Sequence, residues 1–392
     1  MALKGLIYNT SKENDREQWR RSLAEAGLTL VDGSFEEGAA VNSKTDAVWY
    51  IAAGQCYSWD GAFPKAVPTG STPETTGVIG LGGWVSVSDA VLRADLASSE
   101  NGLGASLIVD KPPYAGAVSR TQHSKNADTL SAKDFGAVGD GVTDDTAAIT
   151  AWFDYVISNG KQGFLPSGTY RITSTLVVPT LKSGWSIIGQ GRLTSIIEMA
   201  ADNVPIITFG DTDDGLLHTI SLLDIGLNYT NDQAGNTSAN CIYFRAVNTW
   251  NISLRLKFIG GYWGIKMRAG ANAPWGCNWD LLEWGSGIKG GAIDYSGSTS
   301  ATPNNVWGRF GVDAKNMTEG TIFKELKGYN NSVGAIEIFG GTNNLRLMSF
   351  QAGSQFVINS LKCETIALTG AIAANALISA PVNGMLQIGA LS

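Results

Sequence analysis

Charge is scarce in this 392-residue chain, at 16% of residues, and what there is leans acidic, giving a net charge of -7 and an isoelectric point near 5.0. A nucleic acid or an anionic membrane needs a basic stripe on its partner, so this balance excludes either as the main partner. Histidine is nearly absent. His123 and His218 are the only two, too few for a histidine-rich metal site and a poor basis for a serine–histidine–aspartate triad. Cysteine is sparse as well: Cys56, Cys241, Cys277 and Cys363 lie far apart without CxxC or Cys/His spacing. Neither a zinc site nor a disulfide framework is expected, and four buried thiols are the plain reading. No metal and no cofactor are expected. The chain has no run of 18 apolar residues, and its first residues, MALKGLIYNTSKENDREQW, lack a basic segment followed by an apolar core. Neither a membrane span nor a cleaved export signal is expected.

What the chain does have is glycine, 48 in all, together with abundant Asn, Ser and Thr. That composition fits many short strands joined by turns, with few helices, in a chain long enough for two or three domains. In the first part, Asn14 to Ala26 reads as a short helix with Asn14 as N-cap, Glu17 at the capping-box position, Gly27 as stop, and Trp19, Leu23 and Ala26 facing inward. Alternating runs at Leu28 to Val31, Ala47 to Ala52 and Cys56 to Trp59 read as strands of a small β-rich module. The proline-bearing stretch Phe63 to Pro73 reads as an extended loop or arm, and Ser88 to Ala97 as a second helix too short to be stable alone.

The chain changes character at Asp134. The run DFGAVGDG has three glycines and two aspartates in eight residues, as suits a tight loop with several positive φ angles. From Thr143 the period becomes helical: Thr143 or Asp144 is the N-cap, Ile149, Trp152, Phe153, Val156 and Ile157 share one face, and Asn159-Gly160 ends the helix. A phosphate-binding loop is not indicated, since GxGxxG, a Walker lysine and an apolar lead-in strand are all missing.

The ordered segment DFGAVGDGVTDDTAAI, continued by GFLPSGTYRI and IIGQG, resembles the opening of the pectate lyase-like right-handed parallel β-helices. The resemblance spans roughly residues 130 to 200 and implies a fold, not a reaction. The module ahead of it resembles the virion-anchoring region found before β-helices in bacteriophage tailspikes. Together the two imply a mainly β homotrimer, with an anchor domain over residues 1–110, a linker or neck over 111–133, a right-handed parallel β-helix with a capping helix over 134–364, and a trimerising, end-covering segment over 365–392. They also imply assembly in the host cytoplasm, residence in the phage tail, docking to other tail or baseplate proteins through the N-terminal domain, and recognition of a bacterial surface polysaccharide.

Within the second part, asparagines at the head of apolar runs recur at Asn251, Asn278 and Asn305, each 27 residues apart. That interval reads as one coil, with room for roughly eight coils from Trp185 onward. Runs at Thr219 to Ile225 and Asn344 to Phe350 read as the same kind of strand. Second strands of the coils are expected at Cys241 to Phe244, Gly264 to Met267, Ala292 to Tyr295, Thr321 to Lys324 and Ala335 to Phe339. The segment TIALTGAIAANALISAPVNGMLQIGAL, from Thr365 to Leu391, carries no charge and reads as an element covered by neighbouring chains.

Six of the twelve tryptophans fall between Trp250 and Trp307. Aromatic rings suit both coil interiors and the C–H faces of sugars. Trp275, Trp279, Trp284 and Trp307 are the candidate sugar platforms. Cleavage of a glycosidic bond takes one carboxyl group to protonate the leaving oxygen and a second to activate water or attack. Asp280 and Glu283, three apart and flanked by Trp279 and Trp284, are the candidate pair, with Asp294 and Asp313 in reserve. Two functions fit, a depolymerase and a non-catalytic spike or adaptor. Only the first demands paired carboxylates in an exposed groove.

Overall fold

In the computed structural model, the structure describes residues 15–87, 96–246, 248–272, 274–299, 304–340, 346–364, 378–379 and 383–391. The chain forms two compact units, Met1–Ala127 and Asp128–Ser392.

The first unit is a six-stranded sheet in the order Lys65–Val67, Gly38–Val41, Thr29–Ser34, Asp46–Tyr50, Gln55–Trp59, Trp84–Ser86. Strand alternation sends neighbouring side chains to opposite faces. Leu30, Ala47, Trp49 and Cys56 pack with Leu23 and the half-buried Trp19 of the helix over residues 15–25, and with Ala26 just past its end. Val41, Val48, Tyr57 and Val67 pack with Phe35 and Trp84 on the other side. The expected helix is there, with Gly27 at φ 74° closing it; Asn14 lies outside the described residues. The proline-bearing stretch is not an arm. Lys65–Val67 pairs antiparallel with Gly38–Val41 as the edge strand, and Thr72 caps the short helix Pro73–Thr76. Proline is tolerated on a sheet edge and at a helix start, where its missing N–H leaves no ladder bond unmade. Of the helix expected over Ser88 to Ala97, all but the last two residues lie outside the described residues.

In the second unit the Asp134 segment forms the expected loop and helix, but the N-cap is Asp145, without a side-chain capping bond, in place of the expected Thr143 or Asp144, which end the strand Asp140–Asp144. Gly136, Gly139 and Gly141 have φ of 92°, 73° and 76°, and the helix Thr146–Ser158 buries Ile149, Trp152, Phe153, Val156 and Ile157. The carboxylates divide the remaining work. Asp144 accepts from the Thr146 amide (3.0 Å) at the helix start, Asp140 from those of Val142 (2.9 Å) and Thr143 (2.7 Å). The buried Asp145 accepts from the Val138 (2.7 Å) and Gly139 (3.0 Å) amides. Those charge-assisted bonds satisfy loop amides that have no strand partner. Trp152 donates from Nε1 to the Leu130 carbonyl (2.9 Å). The helix thereby closes the first coil, its apolar face continuous with the core through Leu165, Tyr170, Ile172 and Trp185.

Above it the chain winds as a parallel β-solenoid. One ladder runs through Gln162–Leu165, Trp185–Gly189, Leu216–Tyr229, Asn248–Met267, Asn278–Asp294, Val306–Asp313, Asn331–Phe339, Gln355–Glu364 and Met385–Leu391, all in parallel register. From Trp185 this makes about eight turns. A further ladder runs through Leu176–Val178, Ile207–Phe209, Asn240–Phe244, the ends of Asn248–Met267 and Asn278–Asp294, Thr321–Leu326, Arg346–Phe350 and Ile378–Ser379. The described part of the uncharged C-terminal stretch thus lies in strands stacked on the preceding coils.

Two details of the coil reading are corrected. Ala335 to Phe339 belongs to the first ladder, above Arg309 to Asp313, and Arg346 to Phe350 to the other. Apolar alternation marks a strand but does not say which face of the coil it joins. The asparagines are also out of register. Asn278 stacks between Ser253 and Val306, while Asn251 takes a left-handed corner at φ 52°. Asn305 is buried, accepting from the Cys277 amide (2.9 Å) and donating to the Pro274 carbonyl (2.8 Å). Coils differ in length, and asparagine recurs because both corners and interior turns use it.

Candidate functional site

Along the first ladder, alternate residues of successive strands point outward and stack into columns. One column reads Arg255, Leu281, Arg309, Ala335, Ser360; the next reads Lys257, Glu283, Gly311, Glu337, Lys362. Beyond them Asp313 lies below Phe339, and Phe339 below Glu364. Over these columns lies a groove of about 460 Å³, whose lining includes Glu283, Arg309, Gly311, Asp313, Glu337 and Phe339. Glu283 and Glu337 stand on either side of Gly311, on strands two steps apart. At about 4.8 Å per strand their Cα atoms are roughly 10 Å apart. Arg309 and Asp313 flank Gly311 along its own strand, on the same face.

Cations hold the two glutamates. Arg309 Nη2 lies 2.6 Å from Glu337 Oε2, and that hydrogen bond holds the Glu337 carboxyl below the usual carboxylate range. Glu283 has Arg192 at 3.8 Å and Lys257 at 3.9 Å. Asp313 Oδ1 accepts from the Lys315 amide (3.1 Å). Phe339 is 44% exposed, an apolar surface beside three carboxylates.

The residues singled out in the sequence separate. Glu283 lines the groove; Asp280 does not. Asp280 sits at a bulge where Leu254 pairs with Trp279 and Arg255 with Leu281, and its carboxylate faces Arg255 at 3.5 Å. Three residues of spacing placed both carboxylates outside the coil, but the bulge sends them to different neighbours. Asp294 is buried, with Lys266 at 3.7 Å and the Ser296 amide at 2.9 Å, while Asp313 is in the groove.

The tryptophan platforms are corrected for three of the four rings. Trp279, Trp284 and Trp307 are 0%, 1% and 2% exposed. Trp279 and Trp307 stack at 5.2 Å with planes 3° apart, and Trp284 donates to the Ala292 carbonyl (3.0 Å) among Phe258, Phe310 and Phe323. They are coil interior, offering no face to a sugar. Trp275 is exposed, at 37%. It continues an outer stack with Trp250 (5.3 Å), which in turn stacks on His218 (4.6 Å). Neighbouring coils occupy most of those ring faces.

Sequence reasoning missed Arg309, Gly311, Glu337 and Phe339. The alternation in Val306–Asp313 does place Arg309, Gly311 and Asp313 on one face. Nothing local places Glu283 and Glu337 beside them. Among the described residues no group of three or more His, Cys, Asp or Glu is arranged to hold a metal ion.

Residues 24–89 match the family described as the tail spike TSP1/Gp66 receptor binding N-terminal domain. Residues 129–270 match the family described as rhamnogalacturonase A/epimerase, pectate lyase-like. The chain is 37% identical over 180 residues to a capsule KL64-specific depolymerase of Klebsiella phage P510, covering 45% of this chain and 16% of that protein. It is 38% identical over 105 residues to the tail spike protein of Shigella phage Sf6, covering 25% of this chain and 16% of that one. The matched part is therefore about a sixth of each relative's length. Among solved structures, a tailspike of E. coli bacteriophage HK620 aligns over 76% of this chain and 55% of its own at 14% identity, with a TM-score of 0.44.

Proposed function

We propose that this chain, a tailspike in its order of N-terminal tail spike domain and pectate lyase-like β-helix, is a receptor-binding component of a phage tail. Its first unit attaches to the tail, and its β-helix engages a bacterial surface polysaccharide in the groove around Gly311. The observation that carries this is the groove itself, with Glu283, Asp313 and Glu337 as hydroxyl acceptors, Arg309 as donor and Phe339 as an apolar surface. Such a mixture suits an uncharged ring rich in hydroxyls. The finer reading is a depolymerase, in which two carboxylates on strands two steps apart, facing one groove, serve as acid and base. The competing reading, a spike that binds without cleaving, is favoured by the ion pairs on Glu283 and Glu337. A carboxyl that must donate a proton is poorly served by a neighbouring cation.

Arrays of purified capsular polysaccharides and lipopolysaccharide O-chains, probed with the full-length protein, are expected to show retention on a narrow set. Haloes on lawns of strains bearing those glycans separate cleavage from adhesion. Retention on none of them sinks the receptor reading. The assembly we propose is a homotrimer, motivated by the uncharged C-terminal stretch, whose described Met385 and Leu391 are 47% and 70% exposed in the single chain. Light scattering is expected to give three times the chain mass; a stable monomer contradicts it.

A further inference from the structure

Glycine interrupts the outward column at one point. Below and above Gly311 the column carries Lys257, Glu283, Glu337 and Lys362, all long and charged. Most glycines of this chain have a reason in the fold. Every other glycine whose surroundings are described either has a positive φ or would drive an added Cβ to within 3.2 Å of a neighbour. Gly308, two residues earlier on the same strand, would place it 2.1 Å from the Asp280 carbonyl oxygen. Gly311 has neither reason. Its φ is not in the left-handed region, and an added Cβ would meet only Glu283 Cγ, at an ordinary 3.8 Å. Glycine in a strand weakens it and leaves nothing to pack, so a strand residue with no conformational or steric need for glycine marks a close approach from outside.

We infer that Gly311 is the floor of the sugar subsite, a specificity-determining position where a pyranoside unit of the surface polysaccharide lies with its flat C–H face against the bare backbone. In that pose the ring edge meets Glu283 on one side and Glu337 on the other, with Asp313 and the Arg309 guanidinium closing the remaining sides along the strand. Any side chain at Gly311 stands where the ring lies. The fold tolerates one, because the position is open and a β-branched residue suits an exposed strand. This inference rests on the receptor reading above and deepens it.

The test uses the full-length protein on the same glycan arrays, with Gly311→Ala and Gly311→Val beside the wild type, and the melting temperature of each. A methyl group in a fitted site weakens binding by about 10-fold or more, and the bulkier valine by about 100-fold. Melting temperatures are expected to hold or rise. Variants that bind their glycan as tightly as the wild type overturn the inference. So does a melting temperature that falls in both variants together with binding, since Gly311 would then serve the fold. Wild-type protein that retains no glycan removes the receptor reading itself, and this subsite with it, which is a different result from intact binding by the variants.

Discussion

Trp279→Ala is expected to cost the β-helix about 3–5 kcal/mol, the usual loss for a fully buried tryptophan cut back to its Cβ. The ring is 0% exposed and lies face to face with Trp307, one coil above, at 5.2 Å. Removing it opens a cavity and strips one face of Trp307 of its contacts, and parallel strands fixed on both sides cannot collapse into the space. Trp279→Phe is expected to cost much less. The Trp279 Nε1 has no hydrogen-bond partner among the described residues, so phenylalanine keeps most of the stacking and gives up no bond. Denaturation of the full-length protein followed by circular dichroism measures both. An alanine variant as stable as the wild type would mean that the ring is not interior, and would restore Trp279 as a sugar platform.

If the spike cleaves its glycan, Glu283→Gln and Glu337→Gln are each expected to lower the rate by about 10²–10⁴-fold, the usual worth of a general acid or base. Glutamine keeps the shape and much of the hydrogen bonding, so binding on the arrays is expected to survive. Asp280→Asn is expected to cleave near the wild-type rate, because Asp280 faces Arg255 outside the groove. The roles are distinguishable. With Arg309 favouring the ionised form of Glu337, Glu337 is the proposed base and Glu283 the proposed acid, and intact cleavage by Glu283→Gln would move the acid role to Asp313. Release of reducing ends, measured across pH for each variant, checks the assignment. Complete loss in Asp280→Asn, with cleavage intact in Glu337→Gln, would return the chemistry to the pair that stands three residues apart in sequence.

Local chemistry carried much of this architecture. In the Asp134 segment, glycines at left-handed positions and a helical apolar face are short-range properties, and both are met in the structure, while the helix begins later than expected, with Asp145 as its N-cap. The strand pattern from Trp185 to Phe350 was legible for the same reason, since alternation of apolar and polar residues needs only neighbours. Glu283 was singled out because it stands three residues from Asp280 between two tryptophans, and it lines the groove although both rings point inward. Trp279 and Trp284 could not be sorted into inside or outside, because a sugar-binding face and a coil interior favour the same residue type.

The sequence by itself determined a mainly β chain of short strands and few helices with a small sheet module at its head, since periodicity, turn glycines and helix signals all act within a few residues, while the parallel solenoid was implied by the resemblance of the Asp134 segment to the pectate lyase-like β-helices. Only the tertiary structure decided which residues share the groove. Neighbours there are a whole coil apart in sequence, and coil lengths vary with corners such as Asn251 and bulges such as the one at Asp280. A one-residue change in a coil moves every outward side chain to the other face. The gathering of Glu283, Gly311 and Glu337 in one column is therefore a property of the register, which the hydrogen bonds between coils set.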